Sequence, residues 1–141
     1  MSSRSDFAGS ESSPPVDGFA FELNGGAAAA VAARRAVVAR DGKLPDSVRE
    51  DVLLLVTELV TNAVRHAGVG PDGSFQVELQ RWKQRVRVEV ANPGTGPPLV
   101  SPRPDMSGPG GWGLVLVDRI ATRWGVDKGS SRTCVWFEIE Y

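Results

Sequence analysis

One apolar stripe limits what this chain can fold into. Val48, Val52, Leu55, Val56, Leu59, Val60, Ala63 and Val64 recur at intervals of three and four residues, a spacing that collects side chains on one side of an α-helix. Pro45 suits a first helical position and Ser47-Val-Arg-Glu50 fits a capping box, so the helix is expected to begin within about two residues of that point. Gly68 ends the pattern. Glu58 and Asn62 lie beside the stripe, where a helix packed on a sheet can present polar groups to a pocket at the sheet's edge. The four-residue steps from Glu58 to Asn62 to His66 place a carboxylate, an amide and an imidazole on neighbouring turns. A hard cation such as Mg²⁺ takes oxygen donors and brings phosphates with it, and a nearby carboxylate can accept a proton.

The rest of the chain supplies a sheet for that helix. Phe19, Phe21 and Leu23 alternate with smaller or polar neighbours, which predicts a first strand ended by Asn24-Gly25-Gly26. Ala27 to Arg40 has strong helix propensity, with Val31, Arg34, Arg35 and Val38 at helical spacing and Asp41-Gly42 as its stop. Phe75, Val77 and Leu79, then Val86, Val88 and Val90, alternate with polar residues and predict two strands joined by a hairpin at Arg81-Trp-Lys-Gln84. From Asn92 to Gly111 proline and glycine are so dense that a long loop is expected. A helix from Gly113 to Arg123 and strands at Trp124–Asp127 and Thr133–Tyr141 complete the pattern. The Ser-, Gly- and Pro-rich residues 1–17 have too little apolar surface to offset their ordering entropy and are expected to form a loose tail before a single domain at 18–141.

Composition removes several function classes. A chain of 141 residues with net charge −1 has room for one core and no basic footprint, so neither nucleic-acid nor membrane-surface binding is expected. The single Cys134 lies in an apolar, strand-like run and is expected to pack as a small hydrophobe. There is no membrane-length apolar stretch and no signal-peptide core at the N-terminus, which makes the cytoplasm the expected location.

Three boxes then stand in order: Glu58-Leu-Val-Thr-Asn62-Ala-Val-Arg-His66-Ala, Asn92-Pro-Gly94-Thr-Gly96 directly after a strand, and Gly108-Pro-Gly110-Gly111-Trp112-Gly113-Leu114 before a helix. This series resembles the ATP-binding domains of the GHKL superfamily, which adopt the Bergerat fold. Within it the similarity is greatest to small anti-sigma-factor serine/threonine kinases and their actinobacterial relatives. The resemblance covers almost everything from Phe19 to Tyr141. It implies an α/β sandwich, a mixed and mostly antiparallel sheet of about five strands with helices on one face. It implies ATP and Mg²⁺ as cofactors, Asn62 as the metal ligand and Glu58 as the base. His66 falls where the family pattern has histidine, with a packed or hydrogen-bonded role near the site. As the chain's only histidine, it leaves no separate phosphoacceptor helix for a self-contained histidine kinase.

The first glycine box departs from the family at one position. Asn92 stands where the family has an aspartate that accepts the adenine amino proton. An amide oxygen still accepts that bond, but a neutral pair contributes about 1 kcal/mol against roughly 1.5 to 3 for a charged one. In the second box Gly108, Gly110, Gly111, Trp112, Gly113 and Leu114 are implied to end a mobile lid and open a helix whose free amides suit a triphosphate. Thr133, before the last strand, matches a phosphate-contacting threonine. The resemblance further implies transfer of the ATP γ-phosphate to a serine of a STAS-type anti-anti-sigma protein, sequestration of a sigma factor, or both, and a possible homodimer. The alternative is a nucleotide-dependent or nucleotide-free protein-interaction module without kinase activity.

Overall fold

The computed structural model describes residues 13–66, 72–92, 109–128 and 132–141. Its elements follow the order β1 (Asp17–Asn24), α1 (Ala29–Arg40), α2 (Asp46–His66), β2 (Ser74–Trp82), β3 (Arg85–Asn92), α3 (Pro109–Ile120), β4 (Arg123–Lys128) and β5 (Thr133–Glu140). The strands form one sheet in the order β1-β2-β3-β5-β4. Every pairing is antiparallel, so the expected mixed sheet is, among the described residues, wholly antiparallel. All three helices lie on one face of it.

Strand alternation explains how that layering arises. Phe21 and Leu23 of β1, Phe75, Val77 and Leu79 of β2, Val86, Val88 and Val90 of β3, and Val135, Phe137 and Ile139 of β5 point to the same side and are buried. They meet Val52, Leu55, Val56, Leu59, Val60 and Ala63 of α2 in one contiguous core. Each large side chain removed from water contributes about 1.5 to 3 kcal/mol. At 21 residues α2 is about 31 Å long, enough to cross the whole sheet.

The helix boundaries have local causes. Gly26 takes φ 94°, a left-handed turn open to glycine, and lets β1 swing directly into α1. The inward face of α1 is Ala29, Ala33 and Val37. Small residues allow the helix to approach the core closely, so the Val31, Arg34, Arg35 and Val38 stripe points outward, with both valines more than half exposed. At its end Asp41 N donates to Val37 O (2.8 Å), and Asp41 Oδ1 accepts from the amides of Lys43 and Leu44, both at 3.2 Å. Arg49 N donates to Pro45 O at 2.8 Å. Pro45 therefore occupies the cap of α2 and Ser47 lies inside the helix, which displaces the expected capping box.

Two further boundaries differ from those expected. The hairpin between β2 and β3 is tighter, because Trp82 and Arg85 are cross-strand partners and only Lys83-Gln84 connect them. The third helix opens at Pro109, four residues before Gly113, and ends at Ile120. Proline's fixed φ and missing N–H suit a first helical position, which outweighs the glycines behind it. The rest of the expected loop, residues 93–108, lies outside the described residues, as do residues 1–12 of the expected tail. Ser13 to Val16 are tied down: Trp82 Nε1 donates to Ser13 O at 2.9 Å and Val16 N to Arg81 O at 2.7 Å.

Asp17, the first residue of β1, is clamped by Arg81, whose Nε and Nη2 donate to its two carboxylate oxygens at 2.8 Å each. Those bonds hold the Asp17 carboxyl below its ordinary pKa, against a smaller opposing effect of burial. A carboxyl depressed in the folded state contributes stability that is complete above its unfolded value, near 3.9, and lost as pH falls through the folded value. Asp17→Asn is accordingly expected to flatten the stability profile below about pH 4. Denaturant midpoints of the two proteins, compared at pH 7 and at pH 3, measure the difference; it should narrow at the lower pH.

Candidate functional site

Asn62 is the best-defined member of the site. It lies beside the inward stripe of α2 and is 2 % exposed. Its Nδ2 is buried with no hydrogen-bond partner. Burying an amide without partners costs about 1 to 3 kcal/mol, so native proteins seldom leave one idle. Glu58, one turn earlier on α2, is half-buried and thus retains access to solvent. His66 is the last residue of α2.

The sheet contributes the opposite wall. Continuing the alternation of Val86, Val88 and Val90, Asn92 at the end of β3 faces the helix layer and is 6 % exposed. Its cross-strand partner is Thr133, the first residue of β5, 7 % exposed and on the same face by the same alternation. α2 packs against β3 and against α3. Two polar side chains thus close one end of the sheet on the helix side, an unusual place for them in a layer otherwise filled by valine, leucine and phenylalanine.

Gly110, Gly111, Trp112, Gly113 and Leu114 all belong to the first turns of α3. A helix start presents unpaired amides and the positive end of the macrodipole. Gly94, Gly96 and Gly108 lie outside the described residues. Among the described residues no three His, Cys, Asp or Glu side chains gather into a metal cage. A single amide oxygen is the kind of donor taken by a cation that keeps several waters, as Mg²⁺ does. Asn62 fits this role with its Oδ1, while its unpartnered Nδ2 remains free to donate to an anionic ligand.

Cys134 is buried on the helix-free face, its Sγ 3.7 Å from Glu89 Oε1. Burial, helped by the Glu89 charge, pushes the thiol up to about 12. It packs as an inert small hydrophobe, as its sequence context predicts. The sequence reading missed a buried charge ladder on that same face. Arg87 donates to Glu89 (2.8 Å) and Glu138 (3.0 Å), and Arg123 to Glu138 (3.0 Å) and Glu140 (2.6 Å). The Arg87 guanidinium lies 4.2 Å from the Trp136 ring centroid, and that indole rests on Gly125, where any Cβ would come within 2.8 Å of it. No described helix is long and apolar enough to cross a membrane.

Comparison with known proteins agrees with this geometry. Residues 21–139 match the sequence pattern of the family described as histidine kinase-like ATPase domain. The serine-protein kinase RsbW of Listeria innocua is 32 % identical over 83 residues, which span 50 % of this chain and 53 % of that protein. The chain thus covers about half the length of that relative. Among solved structures, the RsbU and RsbW domains of Rv1364c from Mycobacterium tuberculosis superpose with a TM-score of 0.62 at 20 % identity, over 89 % of this chain and 32 % of that one. The histidine kinase domain of the blue-light-activated kinase EL346 from Erythrobacter litoralis gives 0.55 at 24 % identity, over 80 % and 59 %. Those two likenesses establish the fold. With a family match over most of its length and a five-stranded antiparallel sheet carrying its helices on one face, the chain belongs to the histidine kinase-like ATPase domain family and has the GHKL, or Bergerat, architecture.

Proposed function

We propose that this protein binds Mg-ATP between α2 and the segment that leads into α3, and acts as a cytoplasmic regulator of the anti-sigma-factor kinase type. The observation that carries this reading is the buried Asn62 amide with an unpartnered nitrogen, on the helix where the family's metal-ligating asparagine is expected. Bound Mg²⁺ supplies charge neutralisation for the phosphates. Asn62 Oδ1 would hold it, the Thr133 hydroxyl would serve a phosphate oxygen, and the α3 N-terminus would offer its amides. Asn92 accepts the adenine amino proton through its side-chain oxygen.

In this reading Glu58, half-exposed one turn before Asn62, would accept the proton of a serine hydroxyl as that oxygen bonds to the γ-phosphorus and the bond to the β–γ bridging oxygen breaks. ADP leaves with the electron pair. Phosphoryl transfer depends mainly on positioning and neutralisation, so this set of groups suffices. The substrate serine belongs to a STAS-type anti-anti-sigma protein, and the same surface system sequesters a sigma factor. Transfer of labelled γ-phosphate from ATP to such antagonists, lost in Glu58→Gln, is the expected result; binding of Mg-ATP without transfer to any of them removes the kinase step.

A second reading, nucleotide-gated sequestration without transfer, is favoured by one observation: Asn92 where the family carries aspartate. Restoring the charge in Asn92→Asp is expected to tighten Mg-ATP binding by about threefold to thirtyfold, the range set by exchanging a neutral for a charge-assisted hydrogen bond. Calorimetric titration of both proteins reads this directly. Unchanged or weaker binding contradicts the adenine role given to Asn92.

A further inference from the structure

Arg85 and Asn92 sit at opposite ends of the eight-residue β3, a separation on the order of 23 Å at the usual strand rise. At the Arg85 end there is a cavity of about 570 Å³. Small-molecule sites commonly measure about 300 to 1,000 Å³. Its walls come from three places: Pro14 and Val16 ahead of β1, Trp82 and Arg85 at the hairpin, and Glu140 and Tyr141 at the end of β5.

The charge inside it is unbalanced. Arg85 and Glu140 are cross-strand partners, yet the Glu140 carboxylate turns to Arg123, accepting from its Nη2 at 2.6 Å. The Arg85 guanidinium instead lies 4.2 Å from the centroid of the Trp82 ring, and its Nε is buried without a hydrogen-bond partner. Lys83 adds a second, exposed positive charge at the rim. The indole is itself fixed by the bond from Trp82 Nε1 to Ser13 O.

From this arrangement we infer that the cavity binds a small organic carboxylate. A guanidinium stacked on an aromatic ring has one face covered and its edge preorganised, and that edge matches the two coplanar oxygens of a carboxylate. The apolar sides of Pro14, Val16 and Trp82 accept the ligand's carbon body. The two terminal nitrogens, at the accessible edge of the guanidinium, each donate one N–H to the carboxylate. Lys83 raises the local concentration of anions without fixing their orientation. This inference is independent of the nucleotide site.

The test follows the Trp82 indole N–H by ¹H–¹⁵N NMR of the full chain, the signal being assigned by its loss in Trp82→Phe. Sodium benzoate, inorganic phosphate and sodium chloride are titrated at constant ionic strength. Benzoate is expected to shift the signal saturably, while chloride does not. Arg85→Met should weaken benzoate at least about tenfold, and Arg85→Lys should weaken it several-fold because an ammonium lacks the fork. Mg-ATP affinity should be unaltered in both. A linear, non-saturating benzoate response, an equal response in Arg85→Met at an unchanged melting temperature, or phosphate binding more tightly than benzoate each overturns the inference.

Discussion

Asn62→Ala is expected to abolish magnesium-dependent ATP binding while leaving the domain folded. The two halves of that expectation have one physical source. Asn62 is buried, but its Nδ2 has no hydrogen-bond partner, so truncation breaks no bond made by that nitrogen and relieves an unsatisfied donor. The loss falls on the ligand. A hydrogen bond to a charged group is worth about 1.5 to 3 kcal/mol, and a missing oxygen ligand to the cation adds to it, giving a loss in affinity of roughly a hundredfold or more. Calorimetry with Mg-ATP, repeated with ATP in the presence of a chelator, separates the terms. Wild type should lose most of its affinity when magnesium is removed, and the variant should show no magnesium effect. If the variant binds Mg-ATP as tightly as wild type, Asn62 is not the metal ligand. If wild type itself fails to bind, the proposed function fails with it.

The parts of this molecule that were legible in its sequence are those governed by local periodicity. The α2 stripe, the alternation of Phe75, Val77 and Leu79, and the run from Val86 to Val90 each encode a period and a face, and the core consists of the residues so marked. Asn62 was legible for a related reason, since a polar residue beside an apolar stripe has few explanations. α1 was harder, because its inward face is alanine: where close approach matters more than apolar area, the larger Val31 and Val38 end up outside. Pro109 within a glycine-rich segment reads as loop, although proline is as good a first helical residue as it is a helix breaker. The cavity beside Arg85 depends on three segments distant in sequence and on Glu140 choosing Arg123 over its cross-strand neighbour, a choice made only once the sheet exists.

The ladder on the helix-free face was hidden most completely. Arg87 and Glu89 look like the solvated half of an alternating strand, and Glu138 like a polar interruption of a buried one. Assembly places Arg87 and Glu138 side by side across β3 and β5, with side chains 4 % and 0 % exposed. Burial pushes the Arg87 guanidinium down, and its bonds to Glu89 and Glu138 more than reverse that, so it stays charged. Glu138 bonds two arginines at once, one through each oxygen. Glu138→Ala is therefore expected to be the most destabilising single change in the sheet. It removes one of the two carboxylates that neutralise the buried Arg87 guanidinium, leaving only Glu89; deleting one member of a buried pair costs about 3 to 5 kcal/mol, against a total stability of about 5 to 15 kcal/mol. Replacing the two most buried charges with apolar side chains, Arg87→Met with Glu138→Leu, should recover part of that loss, because Glu89 and Arg123, which remain, are partly exposed and Arg123 keeps its bond to Glu140. Urea unfolding of the wild type, the single variant and the double variant decides the matter. A single variant within about 1 kcal/mol of wild type, the value of an exposed pair, would show that this face is wetter than the burial of Glu138 implies.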